Sequence, residues 1–212
     1  MHTNGKITPT MKLNKAVSTR LPTQYGPFTV HAYEEARLHV AHLALVCGDI
    51  NRVDAPLVRI HSECLTGDLF GSTRCDCGQQ LDCAMDMMQR EGQGILIYLR
   101  QEGRGIGLVN KLRAYNLQDR GLDTVDANLA LGFKVDQRDY QAAVAILEDL
   151  RIDTIRLLTN NPDKLSEFEG STIQVASRIP LQIRPNEENL DYMRTKRDRL
   201  GHLLDFECNT LK

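Results

Sequence analysis

Three cysteines in the first half of the chain are the clearest candidates for chemically active residues, because their thiols and their spacing suit a metal ion. Ten residues separate Cys64 from Cys75, and one residue separates Cys75 from Cys77. If the segment around Cys75 is extended, its two thiols point to the same side and can hold one ion together with Cys64. Three soft thiolates favour zinc, and a zinc ion with three protein ligands keeps a fourth position for water. This spacing is therefore compatible with an open, catalytic metal site.

Two structural explanations of the same cysteines stay open. Cys83 or His61 could complete a closed zinc site with four ligands, or the cysteines could simply be buried as small hydrophobic residues. The surrounding segment, residues 59–68, places a cation, hydroxyls and carboxylates in one strand and turn. Such a density of polar groups is unusual for a solvated hairpin and favours the catalytic interpretation.

The loop at residues 100–107 is a second candidate site. It contains three glycines at alternate positions and leads into a predicted helix, whose free N–H groups and dipole favour phosphate. The glycines match neither the Walker nor the dinucleotide pattern, so a plain turn is an equal alternative. Arg100 and Arg104 suit a polyphosphate, and Glu102 can hold magnesium or a guanine edge.

Four further polar residues have ordinary structural explanations as well as functional ones. Asp136 precedes a predicted helix and is by default its N-cap, with Arg138 on the surface. Thr159 and Lys164 follow a later strand and could offer a hydroxyl and a charge to the same anion. Singly, each is more often a helix cap or a solvated lysine.

The secondary structure around these residues follows two patterns. The first half has short strands at 28–33, 41–46 and 57–61, followed by a helix at 79–90. In the second half, strand, loop and helix recur, with strands at 94–99 and 154–158, helices at 108–121, 138–150 and 187–204, and a helix starting at Pro162. This order predicts an α/β (α+β) fold with a mixed sheet, whose N-terminal strands are antiparallel and whose second half is partly parallel, with ligand groups at the strand ends.

Composition limits the class of protein. With 212 residues, 42% of them hydrophobic, the chain can bury a core, and we expect one domain at 15–205 with a disordered leader at 1–14 and a tail at 206–212. A net charge of −2 argues against broad nucleic-acid binding. The six cysteines are too unevenly placed for a disulfide scaffold, and no apolar run is long enough for a membrane span. We therefore expect a cytoplasmic protein.

Five motifs, taken together, resemble those of one family. They are HSECLTGD from His61, RCDCG from Arg74, RQEGR from Arg100, DQRDY from Asp136 and LTNNP from Leu158. In this order, and over residues 15–204, they are similar to the motifs of GTP cyclohydrolase II. That family opens the guanine ring of GTP and releases formate and pyrophosphate at the entry to riboflavin synthesis. Only minor departures are found, such as Thr73 before the second motif.

The resemblance implies roles for individual residues. Cys64, Cys75 and Cys77 would bind the catalytic zinc, and Asp136 would accept a proton. Contacts with GTP are implied for Arg59, Ile60, His61, Ser62, Glu63, Gln80, Glu102, Gly103, Arg104, Thr124, Thr159 and Lys164. The resemblance further implies magnesium beside the phosphates and a homodimer.

Two implied roles concern the course of the reaction. Arg138 is the family's proposed nucleophile toward the α-phosphate, but a protonated guanidinium has no free lone pair, so an electrostatic clamp is an alternative. Tyr115 matches members that complete formate release, whereas relatives with another residue there stop at the formamide. No dihydroxybutanone-phosphate synthase segment precedes the match, so one activity is expected. The competing hypotheses are a formamide-stopping enzyme, a non-catalytic nucleotide-binding homologue and a zinc hydrolase for another nucleotide.

Overall fold

The computed structural model describes residues 13–35 and 40–206. Within them, seven strands form one sheet: β1 Leu13–Thr23, β2 Gly26–Glu35, β3 Val40–Cys47, β4 Leu57–Ser62, β5 Gly94–Leu99, β6 Thr154–Leu158 and β7 Gln174–Ile179. The α-helices are α1 Leu65–Asp68, α2 Cys77–Glu91, α3 Leu108–Gln118, α4 Thr124–Ala130, α5 Gln141–Asp149, α6 Asp163–Ser166 and α7 Leu190–Asp198. Short 3-10 helices lie at Ile50–Arg52 and Glu102–Gly105.

The strand order is β1-β2-β3-β5-β4-β6-β7. Pairing is antiparallel from β1 through β3 to β5, and parallel from β5 through β4 and β6 to β7. The mixed sheet predicted from the sequence is thereby confirmed. Because β4, β5 and β6 run in the same direction, their carboxyl ends meet at one edge of the sheet.

Alternation along the central strands creates a core on each face of the sheet. Ile95 and Ile97 of β5 pack with Ile146 and Leu147 of α5 on one face. Leu96 faces the other way, where it packs with α2 residues Ala84, Met85 and Met88. The predicted strands 28–33, 41–46, 57–61, 94–99 and 154–158 and the helix at 79–90 are all present.

Two local predictions before α5 are wrong. The helix predicted at 138–150 begins only at Gln141, because Asp136 and Asp139 each accept a hydrogen bond from a backbone N–H two residues further on. Asp136 is consequently not a helix N-cap. The extended geometry considered for the segment around Cys75 is not found, since Asp76 has φ −98° and ψ 8° and leads directly into α2.

The C-terminal helix is shorter than predicted. It covers Leu190–Asp198 rather than 187–204, and the following chain turns back so that the Leu203 N–H donates to the Asn160 carbonyl at 2.8 Å. Met193 is fully buried as expected, whereas Leu200 and Leu204 are only half-buried. Most of the predicted leader at 1–14 and tail at 206–212 lies outside the described residues, but Leu13 and Asn14 belong to β1.

Candidate active site

The candidate site lies where the three parallel strands end. Glu63 and Cys64 follow β4, the loop of residues 100–107 follows β5, and Thr159 follows β6. The Glu63 N–H donates to the Leu99 carbonyl at 2.8 Å, which fixes the ends of β4 and β5 side by side. Ligand sites of open α/β sheets commonly lie at this edge.

The three cysteines converge although they come from different turns. Their Sγ atoms lie within 4.8 Å of one another, and the Cys64 and Cys75 sulfurs are 3.6 Å apart. Zinc–thiolate bonds of about 2.3 Å in a tetrahedron place sulfurs about 3.8 Å apart, so the spacing fits one zinc ion. Among the described residues, the metal-ligand group contains these three and neither His61 nor Cys83. The donor set thus fits an open site rather than a closed one.

Gly67 makes room for this convergence. A Cβ at that position would lie 3.0 Å from the Cys75 Sγ, 3.1 Å from the Cys64 Sγ and 3.2 Å from the Cys77 Cβ. Such distances are below normal van der Waals contact. The HSECLTGD motif therefore has a glycine where the thiols approach the backbone of α1 most closely.

A buried ion pair between Lys111 and Glu102 contacts the thiol of Cys64. The Lys111 Nζ lies 3.0 Å from the Cys64 Sγ and 2.8 Å from the Glu102 Oε1, while the other Glu102 oxygen accepts from the Leu65 N–H at 2.6 Å. Hydrogen bonds from the Cys75 and Cys77 thiols, together with the Lys111 charge, lower the pKa of Cys64. Both Glu102 oxygens already have partners within the protein.

Asp68 organises the turn that carries Cys64. Its carboxylate accepts from the Cys64 N–H at 2.9 Å, from the Tyr98 hydroxyl at 2.9 Å and pairs with His61 Nε2 at 3.0 Å. The His61 ring stacks on Tyr98 with centroids 5.5 Å apart. Burial lowers the pKa of His61, so the ring is neutral, with its Nδ1 buried and unpartnered in the described structure.

A cavity of about 110 Å³ opens beside the thiols, and we call it the cysteine cavity. Besides the three cysteines, its lining includes Tyr115, whose hydroxyl is 3.3 Å from the Thr66 hydroxyl. Arg74 lies over the Tyr115 ring, 4.9 Å from its centroid. Burial raises the pKa of Tyr115, so the phenol keeps its proton at neutral pH.

A second cavity of about 70 Å³ adjoins the first, and we call it the cationic cavity. It is lined by five cations, namely Arg59, Arg104, Arg138, Lys164 and Lys196. Ser62, Cys77, Arg104, Arg138 and Tyr192 line both cavities, so the two lie side by side.

Three of these cations have no carboxylate partner in the described residues. Lys164 donates to the Ile60 carbonyl at 2.7 Å, and Arg59 donates to the Gln80 Oε1 at 2.7 Å and the Leu158 carbonyl at 3.1 Å. Burial lowers the pKa of both Lys164 and Arg59, and the neighbouring cations lower that of Lys164 further. The Arg59 Nε and an Arg104 terminal nitrogen are buried without a protein partner. Buried donors without a partner are costly, so an anionic ligand would stabilise these groups.

The loop after β5 presents Arg104 through an unusual backbone. Gly103 and Arg104 both adopt left-handed conformations, with φ of 63° and 59°. A bulky residue rarely has positive φ, and such strain is concentrated at functional sites. The loop therefore directs Arg104 into both cavities, whereas Arg100 pairs with Glu63 at 2.9 Å and is half-exposed.

The sequence-predicted residues mostly meet in the two cavities. Lining the cysteine cavity are Ser62, Glu63, Glu102, Gly103, Arg104, Tyr115, Thr124 and Arg138. Lining the cationic cavity are Arg59, His61, Ser62, Gln80, Arg104, Arg138, Thr159 and Lys164. Ile60 is packed in the core and reaches the site only through its carbonyl, and Asp136 lies behind Arg138.

Sequence reasoning missed several residues of the site. Tyr192, Lys196 and His202 line the cationic cavity, and Lys111 lines the cysteine cavity. Tyr192 and Lys196 are four residues apart on α7, a spacing that places them on one face. The spacing of Tyr192 and Lys196 could have been recognised in the sequence, but the helix was predicted from its apolar residues alone.

Comparison with known proteins identifies the family to which this chain belongs. The sequence model of the family described as GTP cyclohydrolase II matches residues 14–180. A GTP cyclohydrolase-2 of Neisseria meningitidis is 55% identical over 192 residues, which are 91% of this chain and 97% of that protein. The chain belongs to the GTP cyclohydrolase II family.

Longer relatives match equally well. Riboflavin biosynthesis protein RibBA of Chlorobium phaeovibrioides is 50% identical over 198 residues, and that of Bacillus mycoides is 53% identical over 193. These matches cover 93% and 91% of this chain but 48% and 49% of those proteins, so the chain spans about half their length. A solved structure of RibBX, a two-domain 3,4-dihydroxy-2-butanone 4-phosphate synthase from A. baumannii, has a TM-score of 0.47 at 19% identity over 79% of this chain and 40% of its own.

None of the helices in the described residues is both long and apolar enough to cross a membrane.

Proposed function

We propose that this chain hydrolyses GTP to 2,5-diamino-6-(5-phosphoribosylamino)pyrimidin-4(3H)-one, formate and pyrophosphate, the first step of riboflavin biosynthesis. One observation carries the proposal: a cavity with three convergent thiols adjoins a cavity lined by three cations, Arg59, Arg104 and Lys164, that have no carboxylate partner in the described residues. The first suits a metal beside the purine ring, and the second suits the triphosphate. Family membership supplies the substrate.

Cys64, Cys75 and Cys77 would hold zinc. When bound, zinc would supply a Lewis acid and a water molecule of lowered pKa beside the ring. Lys111 and Asp68 orient Cys64 through its thiol and its backbone N–H. Outer contacts of this kind fix metal ligands in position.

The cationic cavity would bind the phosphates. Arg59, Arg104 and Lys164 offer charge without competing carboxylates, and Thr159 adds a hydroxyl at the end of β6. Magnesium would accompany the phosphates as a counter-ion. Arg138 lines both cavities and therefore suits the α-phosphate, where it would stabilise charge as pyrophosphate departs.

Tyr115 would act in the second hydrolysis, which releases formate. Its hydroxyl faces Thr66, and its raised pKa leaves a proton for positioning water or the leaving nitrogen. Without that step the formamide would be the final product.

We also infer a homodimer in the cytoplasm. Val109 and Leu112, three residues apart on α3, are 62% and 44% exposed and could be covered by a second copy. Five of the cysteines are free in the described residues, consistent with a reducing compartment. Sedimentation analysis would test the assembly.

Mass spectrometry of the products from GTP tests the proposed activity. Zinc-loaded protein with magnesium should yield one formate and one pyrophosphate for each GTP consumed, and ATP should yield neither formate nor an opened ring. Accumulation of a formamide would overturn the complete reaction, and unchanged GTP would favour a non-catalytic homologue.

A further inference from the structure

The family match ends at residue 180, yet three side chains from beyond that point line the cationic cavity. They are Tyr192 and Lys196 of α7 and His202 just after it. Tyr192 also lines the cysteine cavity. The chain returns to the end of β6 after α7, where the Leu203 N–H donates to the Asn160 carbonyl at 2.8 Å. The C-terminal segment thus forms one wall of the candidate site.

Lys196 makes the closest link between this wall and the rest of the site. Its Nζ lies 2.8 and 2.9 Å from the two oxygens of Asp76, and the two side chains are 8% and 1% exposed. Asp76 lies between Cys75 and Cys77. A buried ion pair therefore joins α7 to the turn that carries two of the three thiols.

The same carboxylate continues into the cationic cavity. Gln80 donates its amide to Asp76 Oδ2 at 2.5 Å and accepts from Arg59 at 2.7 Å through its own carbonyl oxygen. Lys196, Asp76, Gln80 and Arg59 thus form a continuous chain of polar contacts. Within this series of contacts, the positive charge of Lys196 neutralises the negative charge of Asp76. Arg59 therefore remains available to bind an anion.

Removal of Lys196 would leave a buried, uncompensated carboxylate at the edge of the phosphate site. An unpaired buried charge is costly, and a negative charge there would repel a polyphosphate. Asp76, which accepts the hydrogen bond from the Gln80 amide, would also no longer be held in place by Lys196, so the Gln80 carbonyl oxygen would be less firmly oriented toward Arg59.

We propose that α7 is part of the substrate site and that Lys196 is a positioning residue, which acts through Asp76 and Gln80 to hold Arg59 ready for the triphosphate. This inference rests on the proposed function, because it assumes that the cationic cavity takes the phosphates of GTP. It extends the site beyond the segment that the family match covers.

Steady-state kinetics with three variants tests the inference. Lys196→Met should raise KM for GTP about tenfold or more with a smaller change in kcat. Adding Asp76→Asn should recover part of that loss, because it removes the uncompensated charge. Arg194→Met removes a charge from the exposed side of the same helix, where Arg194 pairs only with Asp191 in the described structure, and should leave KM unchanged.

Two kinetic results would overturn the inference: a KM for Lys196→Met equal to that of Arg194→Met, or a double variant no better than the single one. Absence of turnover in the wild-type protein would instead count against the proposed function.

Hydrogen–deuterium exchange of the wild-type protein gives a second test that needs no variant. Pyrophosphate should slow amide exchange several-fold in residues 190–198 as well as in residues 159–164. Protection of residues 159–164 alone would show that α7 is no part of the phosphate site and would overturn the inference, even if Lys196→Met failed to fold.

Discussion

The guanidinium of Arg138 donates hydrogen bonds to the carboxylate of Asp136, from its Nε to the two oxygens at 2.9 and 3.0 Å and from one terminal nitrogen. Although burial disfavours its charge, Tyr140 and Asp136 raise the pKa of Arg138 above its ordinary value. Burial favours the neutral form of Asp136, but hydrogen bonds from Arg138 and its charge lower the pKa of that carboxyl. A permanently charged guanidinium is better suited to stabilising phosphate charge than to attacking phosphorus.

The Asp136–Arg138 pair predicts different outcomes for two substitutions. Arg138→Ala should abolish release of both pyrophosphate and formate. Arg138→Lys keeps the charge and should retain measurable pyrophosphate release, with loss of bidentate geometry costing about 10–100-fold. Both products can be quantified from the same reaction. A lysine variant as inactive as the alanine variant, together with a covalent guanylyl adduct on quenched wild-type protein, would refute the clamp.

Loss of one thiol should remove the metal. Cys75→Ser replaces a thiolate by a neutral hydroxyl, a poor zinc ligand, and should abolish both zinc binding and formate production. Cys83→Ser is the matched control, because Cys83 packs against the hydrophobic core and lies outside the thiol group. Metal analysis should find zinc in the control and none in Cys75→Ser. Full zinc with normal turnover in Cys75→Ser would contradict the site.

Tyr115→Met should separate the two hydrolytic steps. Ring hydration should proceed, but release of formate should be impaired because no phenol remains beside Thr66 to position water or a proton. Chromatography should detect the formamide in place of the final product. Tyr25→Met, at a phenol hydrogen-bonded to Asp82 instead, is the control and should not change the product ratio. An unchanged ratio in Tyr115→Met would exclude the role.

Folding stability should depend on His202. Burial, with the charges of Lys196, Arg138, Arg104 and Lys164, lowers the pKa of His202 to about 2. The unfolded chain binds this proton near pH 6.5 while the folded chain does not, so stability falls as the pH drops below about 6.5.

Urea unfolding at several pH values between 7 and 5 checks this dependence. His202→Gln should flatten the decline by the equivalent of one proton, about 1.4 kcal/mol per pH unit. Parallel curves for the variant and the wild type would show that the pKa of His202 is the same in the folded and the unfolded chain, and would contradict this prediction.

The central strands could be predicted because their apolar residues are buried on both faces and leave a clear signal, as in β5. β1 gave no such signal, since nine of its eleven residues are exposed and no face alternates. The cysteines were found from type and spacing, although the extended geometry considered for them does not occur: the turn at Asp76 brings the thiols together. Lys196 escaped notice because its partner is 120 residues away, and only the tertiary fold brings them together.

The most direct test of the account is reconstitution of the metal-free protein. Protein stripped of zinc should release no formate. Stepwise addition of zinc, with magnesium present throughout, should restore formate release in proportion to zinc bound, reaching its maximum at one zinc for each chain. Full formate release by zinc-free protein with magnesium alone, or none from folded protein that holds one zinc for each chain, would contradict it.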